Sequence, residues 1–268
     1  MTACVSRCQQ KIWVFQFMRR PPYHRSYRHL ALGANAIGWS ICCGLLPGVI
    51  LLIFAPVILR FHSRWVIALL EWIGIPVTER VTYLGRLPVI VPEVESYTPA
   101  HSLYPAVMAI VGCIAAAILL IPLSRLTPFR VLSGLAALLC GISGAFFYFA
   151  GNRFPYTASQ FADVWVRAEF VVWLIGPFLL TVILGALPLP SAMTLLYSTM
   201  TLFYAVWFSA IRLTLLLTLF HFAGLIWMPA AYFFAGFMID FFYLVGFYSI
   251  AVSRTTRIVQ SHREVWQW

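Results

Sequence analysis

The chain has few charged residues. Only 10% of its 268 residues are Asp, Glu, Lys or Arg, whereas 62% are hydrophobic and the mean hydropathy is +0.89. A soluble domain usually carries about 25% charged residues. This composition excludes a single water-soluble core, because too few polar side chains are present to cover so much apolar surface. We therefore predict an all-α polytopic membrane protein whose solvent is the lipid bilayer.

The chain also lacks a cysteine pattern that would predict disulfide bonds. Its six cysteines lie in apolar segments or in the basic N-terminal tail, and none lies in a segment that we expect outside the cytoplasm. We interpret them as small packing residues. The sequence shows no spacing typical of a metal site, and nothing in it predicts a cofactor.

The net charge of +10 does not indicate a nucleic-acid partner. The basic residues concentrate in an N-terminal tail (1–29), a short turn (124–130) and a C-terminal tail (254–268). This distribution is typical of cytoplasmic segments of a membrane protein. Six of the eight acidic residues lie instead in two other polar regions. One precedes the second long apolar run of the chain, and the other follows the third. We therefore expect both termini in the cytoplasm and those two regions on the opposite side of the membrane.

The apolar runs predict six spans, each long enough to cross the hydrocarbon core. Between the first two spans, we expect an interfacial, Trp-rich helix at 61–75 and then a β-hairpin in the polar region 77–100, with Gly85 near its turn. A second polar loop covers 151–168, within a membrane core of 30–190, and a two-helix membrane hairpin follows at 191–253. The expected spans are 30–59, 103–123, 131–150, 170–187, 194–220 and 225–253.

Most polar side chains fall in the hairpin region and the second loop. If residues 163–167 begin the fourth span as a helix, Asp163 and Arg167 lie on the same face. A plain alternative is an ordinary solvated loop with surface salt bridges. The candidate binding residues are Glu93, Glu95, Asn152, Arg167 and Glu169.

The order of these parts resembles the exosortase/archaeosortase family over about residues 63–187. Gly74-Ile75-Pro76-Val77 corresponds to the family's G-[IF]-P-V element, which is followed by a hairpin. Ala100-His101-Ser102 occupies the place of the family's A-C-S/N-G motif, and Asn152-Arg153 stands near its N-x-x-R motif. Members of that family are membrane-embedded cysteine enzymes that process proteins with C-terminal sorting tails. The resemblance implies a bacterial inner-membrane protein that works beside a protein-sorting or surface-polymer export system.

The departures from the family pattern affect its catalytic residues. His101 replaces the nucleophilic cysteine, Asp163 replaces the histidine, and only Arg153 keeps its type. An imidazole with no evident activating partner is a poor acyl acceptor, so we predict that the family's transpeptidase chemistry is absent. The resemblance then favours a non-catalytic accessory component whose partner is an active exosortase or a sorting tail. Two alternatives stay open: His101, Asp163 and Arg153 form a new hydrolytic site, or His101 only caps the second span.

Two ionisable residues interrupt the last two apolar runs. These residues are Arg212 and Asp240. Placing an ionisable side chain inside a membrane costs free energy, and such residues are often functional. Counted from a turn near residue 222, they lie at about 15 and 27 Å of depth. We therefore expect them not to pair, with Arg212 facing the outer site and Asp240 bonded to polar side chains such as Ser209 or Tyr243. A proton or ion relay in a transporter subunit that uses Asp240 is the functional alternative.

Overall fold

The computed structural model describes residues 34–120, 128–185, 189 and 191–261. Within these ranges, six helical segments are long and apolar enough to cross a membrane, and one small antiparallel sheet is present. The predicted fold class is confirmed, and the protein is a multi-pass membrane protein. The N-terminal tail 1–29, most of the turn 124–130 and the end of the C-terminal tail lie outside the described residues. The helices are α1 (Ala34–Ile73), α2 (Leu103–Leu120), α3 (Pro128–Ala150), α4 (Ala158–Leu184), α5 (Ser191–Ala223), α6 (Met228–Ala231) and α7 (Ile239–Ser261), and the strands are β1 (Val77–Leu84) and β2 (Leu87–Val94).

The first helix is longer than the sequence predicts. Residues 61–73 do not form a separate interfacial helix but continue α1, which runs through Pro47 and Pro56 without a break. The reason is a buried stripe that extends along one face at intervals of three or four residues, the spacing of a helix that packs against a core. Its members are Leu51, Ala55, Leu59, His62, Val66 and Leu70. The charged residues that suggested an interfacial helix, Arg64 and Glu71, lie on the exposed face.

The predicted hairpin forms directly after α1. Strands β1 and β2 pair in register from Val77 with Val94 to Leu84 with Leu87. The two-residue turn has Gly85 at its first position with φ 62°, which a two-residue hairpin loop favours because a side chain there would be strained. On β2, Val89, Val91 and Val94 are buried, whereas β1 is mostly exposed. The hairpin therefore packs on the bundle through β2.

Helices α2 and α3 form a tightly packed pair. A Cβ added to Gly144 would lie 2.5 Å from the backbone nitrogen of Ala109 and 2.7 Å from the carbonyl oxygen of Pro105. A Cβ on Gly112 would lie 2.6 Å from the backbone nitrogen of Gly141. Small residues at such positions let two membrane helices approach closely, where van der Waals packing holds them together.

The fourth span begins earlier than expected. It starts at Ala158, not near residue 170, because Thr157 and Gln160 form a capping box that satisfies the first backbone N–H groups. A single turn of 3-10 helix, Gly151–Arg153, precedes it. Most of the predicted second polar loop is therefore helical.

The last span changes helix type along its length. After a 3-10 turn at Leu225–Trp227 comes α6, then a π-helix at Tyr232–Met238, and then α7. π-Helical turns inside α-helices are rare and occur often at functional sites. The chain crosses the bundle six times, so the hairpin, residues 151–157 and residues 221–227 share one end of the bundle, which we call the hairpin end.

Replacing Gly144 by Ala is expected to lower the free energy of unfolding by about 1–3 kcal/mol, because the added methyl group meets backbone atoms that cannot move independently. Thermal unfolding in detergent micelles, followed by circular dichroism, measures the change.

The matched control is Gly246→Ala in α7, where an added Cβ meets nothing within 4 Å. That variant is expected to be as stable as the parent or slightly more so, since Ala has the higher helix propensity. Equal destabilisation of both variants would contradict the close packing of α2 on α3.

Candidate functional site

A cleft of about 540 Å³ opens at the hairpin end. It lies between the base of the hairpin and the turn that leads into α4, so the two polar regions predicted from the sequence share one cavity. Its lining residues are Pro76–Thr78, Glu93–Ser96, Thr98, Phe154–Thr157, Ser159 and Leu225. Glu93 and Glu95, two of the predicted binding residues, line it and are exposed.

The turn between α5 and the last span holds one wall of the cleft in place. His221 Nδ1 donates a hydrogen bond to the carbonyl oxygen of Glu95 at 2.9 Å. The backbone N–H of Leu225 donates to the carbonyl of Tyr97 at 3.2 Å. Gly224, at φ 80°, packs so closely on Tyr97 that a Cβ would lie 3.0 Å from that carbonyl oxygen. A side chain would therefore be strained in conformation and crowded by Tyr97.

Arg167 ties α4 to the hairpin beside the cleft. Arg167 Nε lies 3.0 Å from Asp163 Oδ1, one helical turn away, as the sequence spacing predicts. Arg167 Nη2 donates to Thr82 Oγ1 of β1 at 3.2 Å. Asp163 also lines a small recess with Arg80. The carboxylate of Asp163 is thus occupied by Arg167.

His101 and Arg153 come from turns that touch each other, but their side chains are not joined. A Cβ on Gly151 would lie 2.8 Å from Ala100 Cβ, so the two turns are adjacent. Both side chains are exposed. Neither one hydrogen-bonds or ion-pairs with Asp163 or any other described residue, and neither is among the residues that line the cleft. Asn152 is exposed beside Arg153.

The backbone conformation gives His101 a local role. Its φ is 55°, the one positive value among the described non-glycine residues. Histidine, with asparagine and aspartate, is enriched several-fold in this left-handed region. His101 therefore forms part of the turn before α2, where Ser102 Oγ donates to the carbonyl of Pro99 at 3.4 Å.

A second polar site is buried in the middle of the bundle. Glu169 lies eleven residues after the start of α4, and Arg212 lies eleven residues before the end of α5. Asp240, in α7, lies twelve residues after the start of α6, where the last span begins its regular rise. His62 lies eleven residues before the end of α1. At 1.5 Å per residue, all four are about 17–18 Å deep, so four spans contribute a polar side chain at one level. We call Glu169, Arg212 and Asp240 the ionic cluster.

Arg212 is the centre of the ionic cluster. Its Nη2 lies 2.8 Å from Glu169 Oε1 and 2.7 Å from Asp240 Oδ1. Its Nη1 donates to the carbonyl oxygen of Ala235 at 2.6 Å and lies 3.4 Å from that of Gly236. Both carbonyls belong to the π-helix, which widens the last span and presents backbone oxygens to the guanidinium. Charge-assisted hydrogen bonds of this kind are the strong ones in proteins.

Aromatic and unpartnered polar groups surround the ionic cluster. The guanidinium carbon of Arg212 lies 5.4 Å from the ring centroid of Trp165 and 5.6 Å from that of Phe208, within range for cation–π attraction. The His62 ring is 5.2 Å from the Trp173 ring. Several buried polar atoms have no hydrogen-bond partner among the described residues: Glu169 Oε2, Arg212 Nε, Trp173 Nε1, Ser209 Oγ, Tyr243 Oη and both ring nitrogens of His62.

Two sequence predictions about these residues are wrong. Glu169 does not belong to the outer mouth, because α4 begins eleven residues before it and carries it into the bundle, where it is 3% exposed. Arg212 and Asp240 do pair. The predicted depths assumed that both helices meet at one turn near residue 222, whereas the last span begins its regular rise only at Met228. Counting from the true helix ends would have found the pair.

Comparison with known proteins finds no family model, no curated protein and no solved structure that matches this chain. The resemblance to the exosortases therefore stays a prediction from the sequence.

Replacing Arg212 by Met is expected to lower the free energy of unfolding by about 3–5 kcal/mol, since two buried carboxyl groups lose their cationic partner. Thermal unfolding in detergent micelles measures the loss.

Arg167→Met is the control, because it removes the same charge from a pair whose side chains are 42% and 30% exposed. An exposed ion pair contributes about 0–1 kcal/mol. Similar losses in the two variants would show that the ionic cluster has no special role in stability.

Proposed function

We propose that the protein is a non-catalytic, exosortase-like accessory protein of the bacterial inner membrane, whose cleft binds an extended basic segment of a partner protein. The observation that supports this proposal is the cleft itself, which two separate stretches of chain enclose. The charged side chains in its lining are Glu93 and Glu95. The concentration of basic residues in both tails supports a hairpin end that faces away from the cytoplasm.

The charge of the lining residues determines which kind of peptide segment the cleft favours. The lining carries two carboxylates and no Lys or Arg, so a segment with Lys or Arg side chains is favoured and an acidic one is repelled. Because both carboxylates are exposed, their attraction acts over about a Debye length and weakens as salt is added.

The other lining groups suit an extended chain. Hydroxyl groups from Thr78, Ser96 and Thr98 offer hydrogen bonds to a backbone, and Phe154 and Tyr156 offer apolar surface for alternate side chains. Extended peptides are recognised in this way, with backbone hydrogen bonds and side-chain pockets acting together. The resemblance to the exosortases makes a C-terminal sorting tail our proposed source of the segment.

The arrangement of the residues predicted to be catalytic supports binding over hydrolysis. A hydrolytic site would need Asp163 to orient His101 as a base. Asp163 instead bonds Arg167, and His101 occupies an exposed turn. The cleft lining contains neither cysteine nor histidine, so it lacks the nucleophile of the exosortases and the imidazole that most often activates a serine or threonine hydroxyl.

The test uses a fluorescent peptide in which arginines alternate with apolar residues, titrated with the full-length protein in lipid nanodiscs and read by fluorescence anisotropy. The double variant Glu93→Gln/Glu95→Gln is expected to raise the Kd about tenfold or more, equivalent to about 1.4 kcal/mol. Added salt is expected to weaken binding to the parent protein more than binding to the variant.

The control is Glu79→Gln, which removes an exposed carboxylate of β1 that does not line the cleft, and its Kd should match that of the parent. His101→Ala should also bind normally. A peptide with glutamates in place of the arginines that binds equally well would contradict the proposal. So would cleavage of the basic peptide detected by mass spectrometry, which would favour the hydrolase.

A further inference from the structure

The ionic cluster contains more acidic groups than basic groups. It contains two carboxyl groups and one guanidinium, and arginine stays protonated in proteins. With both carboxyls ionised, its net charge is −1, at a level where Glu169 and Arg212 are each 3% exposed. An uncompensated charge in an apolar interior is so costly that a titratable group takes up or releases a proton instead.

We propose that the ionic cluster is a proton-binding site, which holds one exchangeable proton shared between Glu169 and Asp240. Both carboxyls contact the same nitrogen of Arg212, so each one can serve as the carboxylate partner while the other is protonated. This site is separate from the cleft and does not depend on what the cleft binds.

A proton fits the site better than a metal cation does. Arg212 occupies the space between the two carboxyls, and its charge repels a second cation. Among the residues that the structure describes, no group of three or more His, Cys, Asp or Glu could hold a metal ion. A proton requires only a carboxyl oxygen that no cation occupies, and Glu169 Oε2 is outside the ion pair with Arg212, which Oε1 forms.

Each neighbouring span presents a polar side chain to the site. His62 lies on α1 at the same depth, with its ring 5.2 Å from that of Trp173. The Trp173 and Ser209 side chains lie beside the Glu169 carboxyl, from α4 and α5 respectively. Tyr243 lies near both carboxyls on the last span.

Asp240 is the less enclosed of the two carboxyls in the ionic cluster. Its side chain is 13% exposed, whereas those of Glu169 and Arg212 are each 3% exposed.

Infrared spectroscopy of the full-length protein in nanodiscs tests the site, because a protonated carboxyl group has a carbonyl band apart from that of a carboxylate. The parent is expected to show this band at neutral pH, and transfer to D₂O should shift it. Glu169→Gln and Asp240→Asn should each abolish it, since the remaining carboxyl then ionises against Arg212 in a one-to-one pair.

The loss of the band in both single variants shows that the proton depends on the charge balance of the whole ionic cluster, because a carboxyl that is protonated independently of the other would keep its band when the other is removed. Asp163→Asn, which removes an exposed carboxylate paired with Arg167, should leave the band unchanged.

Absence of the band from the parent, its survival in either single variant, or its failure to shift in D₂O would overturn the proposal. Both single variants keep a neutral ionic cluster, so they should fold, and circular dichroism checks this. If one of them does not fold, the other decides together with the D₂O shift of the parent band, and survival of the band in that folded variant would overturn the proposal.

Discussion

One guanidinium in the middle of the membrane organises the described bundle. Arg212 bonds a carboxyl from the fourth span, a carboxyl from the last span and backbone oxygens of the same last span. These contacts can all be satisfied only when α4, α5 and the last span are aligned in depth to within about one turn. The π-helix supplies the needed acceptors, because a regular α-helix would keep its carbonyls in its own hydrogen bonds.

The cleft depends on the same alignment. Leu225, which lines it, follows α5, and residues 154–159 lead into α4, so the positions of these two helices set the walls. The hydrogen bonds from His221 and Leu225 then fix the chain between the hairpin and α2 against the turn. The buried polar contacts set the relative heights of the helices, and the contacts at the hairpin end shape the surface that a partner can reach.

The sequence predicted the features that depend on local pattern. Apolar runs predicted six spans, the turn at Gly85 predicted the hairpin, and the spacing of Asp163 and Arg167 predicted that a helix there would place them on one face. Prediction from the sequence failed where the structure depends on contacts between residues that are far apart in the chain. The buried stripe through His62 keeps α1 continuous only because other helices cover it. Composition alone suggested instead that residues 61–75 lie at the membrane–water interface. The pairing of Arg212 with Asp240 depended on where the last span begins. That start follows an irregular turn closed by contacts with Tyr97, more than a hundred residues earlier in the chain.

The order of the cluster residues along the chain bears on how the protein enters the membrane during synthesis. Either Arg212 or Asp240, placed alone at the centre of an inserting helix, costs about 2.5–3.5 kcal/mol. Glu169, Arg212 and Asp240 lie on three consecutive spans, so the guanidinium emerges from the ribosome after its first acidic partner and before its second. We therefore expect these three spans to leave the translocation channel as a group, with neutralisation between neighbours assisting the transfer of each into lipid.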